Sequence, residues 1–459
     1  MLAKANFVMH RGIPWASGVL RRFMWVSSRA VIDDAAKDGE LRVFIVSGEV
    51  SGDTIGGRLM ASLKKISPFP VKFCGVGGSM MSQHGLQSLF PMEDLAVMGI
   101  WELLPHLSKF RARLKETVRA ALLFKPHVVV TVDSKGFSFR FLKELRASCS
   151  LQGLDSPLHF HYVAPSFWAW RGGKARLKKL SHFLDHIFCI LPFEEEACRV
   201  NGLAATFVGH PVLEDCSELI IEKDYINWKV ERTIGNFRNK FEIPPGDKVV
   251  TLLPGSRLQE VARMLPIFLK TVELLKGSFP ELRILMNVAS NQHVENYISR
   301  VVHHWPVPVI LIPGDSTALR YDVFNVSSAA LCTSGTVAVE LQLARLPCVV
   351  AYRAHILTEW LIRYKAKVSY VSLPNILLDS PMIPEALFQR CTPQRLASFL
   401  SELIDSEALR TRQMYSAEKV IRLLCPPENN SVQYDSNWRG TSPPSMIAAS
   451  TLLYYKRQR

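Results

Sequence analysis

The sequence lacks an uninterrupted apolar run of about 18 residues, the length that a helix needs to cross a bilayer, so no transmembrane segment is predicted. Paired cysteines are also missing. The nine cysteines include no C-x-x-C pair, which argues against a disulfide framework and against a zinc site. The chain of 459 residues has 48 % hydrophobic and 21 % charged residues, which is typical of a folded protein of two or three domains.

Acidic residues are absent from residues 1–32, which contain five bases. These bases are Lys4, Arg11, Arg21, Arg22 and Arg29. Serines and apolar residues lie between them, a pattern typical of an organellar transit peptide. We predict a presequence over residues 1–40, mitochondrial in preference to plastid, with a disordered basic tail as the alternative. Subtracting these five charges from the formal +14 leaves +9, which favours an anionic partner.

From residue 41 onward, short β-branched runs alternate with helical periodicity. The predicted strands are RVFIVS, VKFCGV, HVVVTVD, LHFHYVA and HIFCIL in the first half, and KVVTLLP, LRILMNV, PVILI, AALCTS and PCVVAY in the second. Strands that are apolar on both faces and separated by helices predict parallel sheets covered on both sides. The predicted fold class is α/β, with two doubly wound Rossmann-like domains facing a cleft, at 41–215 and 216–426. The tail, 427–459, is either a loop with a docked helix or disordered.

Two turns of the second half suit a phosphate. Gly255 and Ser256 follow a predicted strand and Arg257 begins the next helix, so free N–H groups, the helix dipole and a guanidinium meet there. An ordinary Ser256 N-cap is the alternative.

The other turn contains Ser334, Gly335 and Thr336, and Glu340 lies about one helical turn further on. A carboxylate in that place can accept hydrogen bonds from ribose hydroxyls. The two turns together predict a site for a nucleoside diphosphate, with two well-capped helices as the alternative.

The corresponding turns of the first half are acidic. The stretch SGEVSGDTIGG has glycines at intervals of four, which fits neither a dinucleotide turn nor a P-loop, and Glu49 and Asp53 would repel a phosphate. It is predicted to bind substrate hydroxyls, with a tight packing turn as the alternative. Asp133 ends the strand of PHVVVTVDSKGF, where it can act as a general base or cap the next helix.

Two stretches of the first half place apolar side chains beside bases. MGIWELLPHL, at 98–107, precedes a basic helix, and SFWAWRGGKARLKK spans 166–179. This mixture suits a bilayer interface, although solvated helix faces over a normal core give the same pattern.

Seven motifs in order, from about residue 42 to 404, together resemble lipid-A-disaccharide synthase. They are SGEVSGD, VDSKGF, YVAPSFWAWR, FVGHP, LLPGSRLQE, TSGTVAVE and SLPNILL with PEALFQ. The resemblance implies a two-domain GT-B glycosyltransferase and an inverting reaction without metal or other cofactor, to which the absence of Asp-x-Asp conforms. It also implies that UDP-2,3-diacylglucosamine donates its sugar to 2,3-diacylglucosamine 1-phosphate, giving a β-1,6 disaccharide and UDP.

The resemblance also implies site residues. The catalytic candidates are Asp133 and Glu49, of which Asp133 matches the catalytic aspartate. The donor candidates are Gly255, Ser256, Arg257, Ser334, Gly335, Thr336, Glu340, Asn375 and Gln389. The acceptor-side candidates are Ser47, Gly48, Ser51, Gly52, Asp53 and His210. The acyl or membrane candidates are Met98, Trp101, Leu103, Leu104, Trp168 and Trp170.

The expected partners are the two lipid substrates and an anionic membrane surface, without nucleic acid, and a homodimer is left open. A UDP-sugar 2-epimerase of the same architecture is the alternative function, although such an enzyme has no use for an apolar and basic surface.

Overall fold

The chain folds around two six-stranded sheets in which every strand pair is parallel. The computed structural model describes residues 30–95, 100–215, 231–289, 291–305, 307–314, 316–333, 335–427 and 442–456. Strand order is β2-β1-β3-β4-β5-β6 in the first sheet and β12-β11-β10-β7-β8-β9 in the second. The predicted pair of doubly wound sheets is confirmed.

The first sheet comprises β1 (Leu41–Ser47), β2 (Val71–Val76), β3 (Val128–Val132), β4 (Leu158–Tyr162), β5 (His186–Cys189) and β6 (Ala205–Phe207). The second comprises β7 (Lys248–Leu253), β8 (Leu282–Asn287), β9 (Val309–Ile312), β10 (Ala329–Cys332), β11 (Cys348–Tyr352) and β12 (Glu385–Leu387).

Helices cover both faces of each sheet. Those of the first half are α1 (Val31–Asp38), α2 (Val50–Ile66), α3 (Ser79–Gln83), α4 (Ile100–Phe124), α5 (Lys135–Leu151), α6 (Gly173–Leu180) and α7 (Pro192–Val200). The next group is α8 (Glu231–Lys240), α9 (Leu258–Ser278), α10 (Gln292–Val302), α11 (Thr317–Val326), α12 (Thr336–Leu343), α13 (Ile356–Lys365) and α14 (Leu373–Leu378). The chain continues with α15 (Pro393–Asp405), α16 (Glu407–Leu424) and α17 (Pro444–Leu453). Among the described helices, none combines the length and the apolar character that crossing a membrane requires.

Ten of the twelve strands match the predicted ones, and β6 and β12 were missed. Both have three residues and lie at a sheet edge, where each pairs with a single neighbour. A run of three residues is too short to show a periodicity, so only the tertiary pairing reveals it.

The two ends of the described chain meet on the first sheet. Val31 and Ala35 of α1 are buried, and the Val31 N–H donates to the Tyr455 carbonyl oxygen at 3.3 Å. The predicted boundary of the presequence at residue 40 is therefore wrong, because residues 30–40 form part of the folded core. The acidic Asp33 and Asp34 mark where the acid-free leader ends.

The tail contains a docked helix, which confirms one of the two predicted alternatives for this segment. Helix α17 packs along α2, and the hydroxyls of Ser62 and Ser445 are 2.8 Å apart. Leu452 and Leu453 are completely buried in the core that α17 shares with β1 and β3. The last helix of the chain therefore stabilises the first sheet.

Leu452→Ala is expected to lower the free energy of unfolding by about 2–5 kcal/mol, because it removes buried methyl groups and leaves a cavity in the core. The matched control is Leu151→Ala at the exposed end of α5, where Leu151 is 89 % exposed and the change should stay within about 0.5 kcal/mol. Urea unfolding measures both values. Equal small losses would contradict the docking of α17.

Candidate functional site

The candidate site lies at the carboxyl edges of the strands, where the strand order of each sheet reverses. In the first sheet β1 leads to β2 on one side, whereas β3 lies on the other side and leads to β4. In the second sheet the same reversal falls between β7 and β10. Such switch points open a crevice for ligands. The turns after β1, β3, β7 and β10 contain most of the predicted site residues.

The turns after β1 and β3 pack against each other. A Cβ at Gly48 would lie 2.4 Å from the Ser134 hydroxyl, so only glycine allows this approach. Asp133 and Ser134 both have left-handed backbones, with φ of 48° and 47°. Two such non-glycine residues in succession are costly, and strain of this kind is concentrated at functional sites. The Asp133 carboxyl, half-buried, lies beside Glu49 and does not form a side-chain cap on α5, which begins after Ser134.

Electrostatics join Glu49 to residues of both halves. Burial raises the pKa of the Glu49 carboxyl above its usual range, and the nearby Asp133 raises it further. Arg257 and Lys135 act in the opposite direction. Glu49 therefore lies within electrostatic range of Asp133 in its own half and of Arg257 in the second half. The sequence predicted these residues only as two separate sets.

The turn after β7 differs from the predicted N-cap. The residue at the N-cap of α9 is Arg257 rather than Ser256, and its side chain makes no capping bond. Gly255 has φ of +112°, and a Cβ there would lie 2.5 Å from Glu260 Oε2. The Glu260 carboxyl therefore folds back over the turn, and burial raises its pKa. Thr333, at the end of β10, hydrogen-bonds to Glu260 and links the two turns.

The turn after β10 faces open space. Gly335, at φ +132°, has no atom within 4 Å of a Cβ built on it, and Thr336 begins α12 exposed. Ser334 lies outside the described residues. Gly335, the N-cap of α12, has no side chain that could cap the helix, so among the described residues no N-cap side chain occupies its first N–H groups.

Glu340 lies on α12 behind that turn, with its side chain 12 % exposed and its Oε2 buried. Its Oε2 is 3.4 Å from Arg320 Nε, and within the described part of the chain this oxygen accepts no hydrogen bond. Burial raises the pKa of Glu340, Arg320 lowers it, and Asp215 of the first half raises it again. A buried carboxylate oxygen without a hydrogen-bond donor is the exception in folded proteins and suits a ligand hydroxyl.

Four acceptor-side predictions are wrong, because Asp53, Ser47, Gly52 and His210 serve the fold. The Asp53 carboxylate is buried and accepts three backbone N–H bonds, from Gly78, Met80 and Met81 at 2.7, 2.9 and 3.2 Å. It thereby caps α3. The buried Ser47 hydroxyl donates to the Glu49 carbonyl oxygen at 3.1 Å.

Gly52 is the third correction. A Cβ on it would lie 2.5 Å from Ser47 Oγ and 3.3 Å from the Val132 carbonyl oxygen. This glycine lets α2 pack on the sheet, so the alternative of a tight packing turn is the correct one. Ser51, in the first turn of α2, is exposed.

His210 is also buried, and it is not presented to an acceptor. Its Nδ1 accepts the Val212 N–H at 3.3 Å, and burial lowers its pKa to about 4. Its backbone N–H donates to the Leu424 carbonyl oxygen at 3.1 Å, which ties the end of the first half to α16. The prediction of an acceptor contact is corrected to a structural role.

Asn375 is fully buried, so the predicted donor contact of its side chain is wrong in this structure. Its amide donates to the Ile383 carbonyl oxygen at 2.9 Å and to Glu385 Oε1 at 2.8 Å, and it accepts the Ile383 N–H at 2.8 Å. Asn375 therefore fixes α14 to β12. Gln389, in the turn after β12, is exposed.

The predicted membrane residues have different outcomes. Met98 and the side chains of Trp101, Leu103 and Leu104 lie outside the part of the chain that the structure describes. Trp168 and Trp170 are half-buried at the junction of the halves, and their contact with a membrane stays a prediction. Trp170 forms an antiparallel bridge with Ala366.

Trp168 lines a cavity of about 290 Å³ between the halves, together with Phe193, residues 367–370, Ile376 and Asp379. Its Nε1 donates to Glu194 at 2.9 Å, and burial raises the pKa of Glu194 to about 7. Sequence reasoning did not identify Glu194, although Pro192 followed by a glutamate two residues later is a helix-start signal. Arg320 was also missed, and no local pattern points to it.

Comparison with known proteins identifies the family. The sequence model described as lipid-A-disaccharide synthetase matches residues 43–436. The chain belongs to the lipid-A-disaccharide synthetase family. It is 60 % identical to the probable mitochondrial lipid-A-disaccharide synthase of Arabidopsis thaliana, over 97 % of each chain. It is 43 % identical to the lipid-A-disaccharide synthase of Rhodospirillum centenum, over 90 % of this chain and 94 % of that one.

Solved structures with the same fold include enzymes of two kinds. The glycosyltransferase of kitacinnamycin has a TM-score of 0.52 at 13 % identity, covering 90 % of this chain and 98 % of its own. A UDP-GlcNAc 2-epimerase from Neisseria meningitidis, bound to UDP-GlcNAc, has a TM-score of 0.52 at 12 % identity, covering 84 % and 99 %. These likenesses confirm that this chain has the GT-B architecture. At 12–13 % identity they show the fold alone.

Glu49→Gln is expected to stabilise this family member more as the pH rises. Because the pKa of Glu49 is raised in the folded protein, folding favours its protonated form, and stability is lost as the pH rises above the ordinary value of 4.5. Glutamine cannot ionise and avoids that loss. The gain in Tm over the parent should therefore be larger at about pH 8 than at about pH 4.

The control for this measurement is Glu281→Gln, in an exposed turn before β8. A gain at Glu49 that is independent of pH, or matched by the control, would contradict the buried environment of Glu49.

Proposed function

We propose that this chain transfers the sugar of UDP-2,3-diacylglucosamine to the 6-hydroxyl of 2,3-diacylglucosamine 1-phosphate, forming the β-1,6 disaccharide 1-phosphate and UDP. Family membership supports the reaction. The observation that supports the assignment of residues is the meeting of Glu49 and Asp133 with Arg257, which come from opposite halves.

Asp133 is the base in this proposal. It takes the proton from the acceptor 6-hydroxyl, whose oxygen then attacks the anomeric carbon while the bond to UDP breaks on the opposite face. Asp133 lies at the tip of a strained turn held by two backbone contacts. Its N–H donates to the Tyr162 carbonyl oxygen at 3.0 Å, and its carbonyl oxygen accepts the Ser138 hydroxyl at 2.8 Å. A group fixed in this way is suited to general base catalysis.

Glu49 orients the acceptor in this proposal. Burial and the charge of Asp133 both raise the pKa of Glu49, which favours the protonated form of this carboxyl. A protonated Glu49 can donate a hydrogen bond to an acceptor oxygen, whereas Asp133 accepts the proton from the reacting hydroxyl. If Glu49 is instead the base, Asp133 is the group that orients the acceptor.

The leaving diphosphate is stabilised by Arg257 and by two helix N-termini. Arg257, exposed at the start of α9, offers a bidentate fork, and the uncapped starts of α9 and α12 offer N–H groups. Gly255, Ser256 and Thr336 lie in the same turns. These groups can hold the charge that develops on UDP without a metal ion. Glu340 Oε2 accepts a ribose hydroxyl, and the exposed Gln389 is a further donor-side contact.

Both substrates carry acyl chains, so we propose that the protein works in peripheral contact with a membrane. Its mitochondrial location is supported by the name of the Arabidopsis thaliana relative and by the acid-free, basic residues 1–29, which form the proposed transit peptide. A homodimer stays a prediction, as do the domain bounds.

The epimerase alternative shares only the fold with this chain, whereas the synthetase family matches it over most of its length. The synthase reaction is therefore favoured over epimerisation.

The test is a transfer assay on the full-length protein with both lipid substrates in detergent and EDTA. The parent should form the disaccharide 1-phosphate, and Asp133→Asn should lower the rate by about 10²–10⁴ through loss of the base. Asp155→Asn, an exposed acidic position after α5, should keep the full rate.

Three outcomes would count against parts of the proposal. A rate that needs added Mg²⁺ would contradict the metal-free site. Full activity of Asp133→Asn together with loss in Glu49→Gln would move the base to Glu49. A parent that binds UDP but forms no disaccharide would contradict the reaction.

A further inference from the structure

Helix α13 exposes three large apolar side chains within about one turn. Trp360, Leu361 and Tyr364 are 66 %, 42 % and 61 % exposed. The rings of Trp360 and Tyr364 stack with their centroids 5.8 Å apart and an interplanar angle of 4°. We call these three residues the aromatic patch. Single exposed apolar residues are ordinary, but a contiguous group of this kind indicates an interaction surface.

Bases surround the aromatic patch. Arg363, Lys365 and Lys367 are exposed on α13 and just after it. The acidic Glu359 of the same helix is buried and forms an ion pair with Arg363 at 2.7 Å. The exposed charge next to the patch is therefore positive.

Helix α6 of the first half adds four exposed bases. They are Lys174, Arg176, Lys178 and Lys179. Its apolar Leu177 and Leu180 face inward and are buried, and the helix contains no acidic residue. All charged residues on the outer face of α6 are therefore basic, and we call it the basic face.

Backbone hydrogen bonds join the two elements. The Arg171 N–H donates to the Lys365 carbonyl oxygen at 2.9 Å, and the Lys367 N–H donates to the Ala169 carbonyl oxygen at 2.8 Å. The end of α13 thus lies directly beside the segment that leads into α6. The aromatic patch and the basic face adjoin across the boundary between the two halves.

We propose that the aromatic patch and the basic face form a docking surface for an anionic lipid bilayer, an inference that rests on the proposed function because it assumes lipid substrates. Tryptophan and tyrosine favour the headgroup level of a membrane, and neighbouring lysines and arginines bind anionic lipids. A second copy of this chain is a poorer occupant, since two basic surfaces would repel each other.

The basic face belongs to the stretch at 166–179 that was predicted to suit a bilayer, whereas the aromatic patch on α13 was not predicted. The surface has parts from both halves, which the backbone hydrogen bonds between residues 169–171 and 365–367 hold side by side. The cavity lined by Trp168 and residues 367–370 begins immediately after α13. A lipid substrate would therefore enter the space between the halves next to the docked membrane.

Flotation of the full-length protein with vesicles tests the surface. Mixed vesicles of phosphatidylcholine and phosphatidylglycerol are compared with pure phosphatidylcholine vesicles. The parent should bind the mixed vesicles, and the double change Trp360→Ser with Tyr364→Ser should weaken that binding about tenfold or more. Each base should contribute roughly fivefold to this binding, so Lys174→Gln with Lys178→Gln should weaken it about 25-fold.

Tyr415→Ser is the matched control. Tyr415 is 62 % exposed on α16, and Lys419 lies over its ring. It is therefore also an exposed aromatic residue beside a base, but it does not belong to the proposed surface. Its substitution should leave vesicle binding unchanged. Transfer activity in detergent should be the same in all these proteins, so a failure of docking is separable from a failure of the reaction.

Two results would overturn the inference. The first is vesicle binding that the Trp360 and Tyr364 changes leave intact. The second is a parent that light scattering shows to be dimeric and that these changes convert to a monomer without affecting vesicle binding, because the patch would then be a contact between copies.

Discussion

The parallel order of both sheets is the constraint on which the rest of the structure depends. In a parallel sheet all strands run in the same direction, and each chain connection leaves a strand at its carboxyl end. Every strand-to-helix turn therefore lies at the same edge of the sheet. Glu49 follows β1 and Asp133 follows β3, which is its neighbour. Arg257 follows β7 and Gly335 follows β10, which are also neighbours. Topology alone thus reduces the candidate site to four turns in two adjacent pairs.

Placing carboxyl groups in the space between the two sheets has an energetic cost, because burial opposes their ionisation. Glu49 and Glu340 are both carboxyl groups whose charged form is opposed by burial, and each is affected by a charged residue of the other half. In the proposed reaction, Arg257 and the helix N-termini take the place of water around the leaving diphosphate. Preorganised groups of this kind stabilise charge that develops during the reaction more strongly than water does. The same burial lowers the stability of the unliganded protein.

Sequence reasoning found the fold and the turns, but it misjudged several side chains within them. Periodicity is local, so ten strands were predictable, and β6 and β12 were not. The roles of Asp53 and Asn375 depend on backbone groups that the chain brings together only on folding. Trp168 shows the same limit, because aromatic residues beside bases give one pattern whether they face a membrane or a second sheet. Trp360 and Tyr364 were not singled out, since their exposure is a tertiary property.

The most direct test of the central claim is a double-mutant cycle across the cleft, with kcat/KM for transfer measured in the parent, Glu49→Gln, Arg257→Gln and the double variant. If the two residues act on one reacting centre, the double variant loses less than the product of the two single losses. Losses that multiply would show that Glu49 and Arg257 act independently, and would contradict a site assembled from both halves.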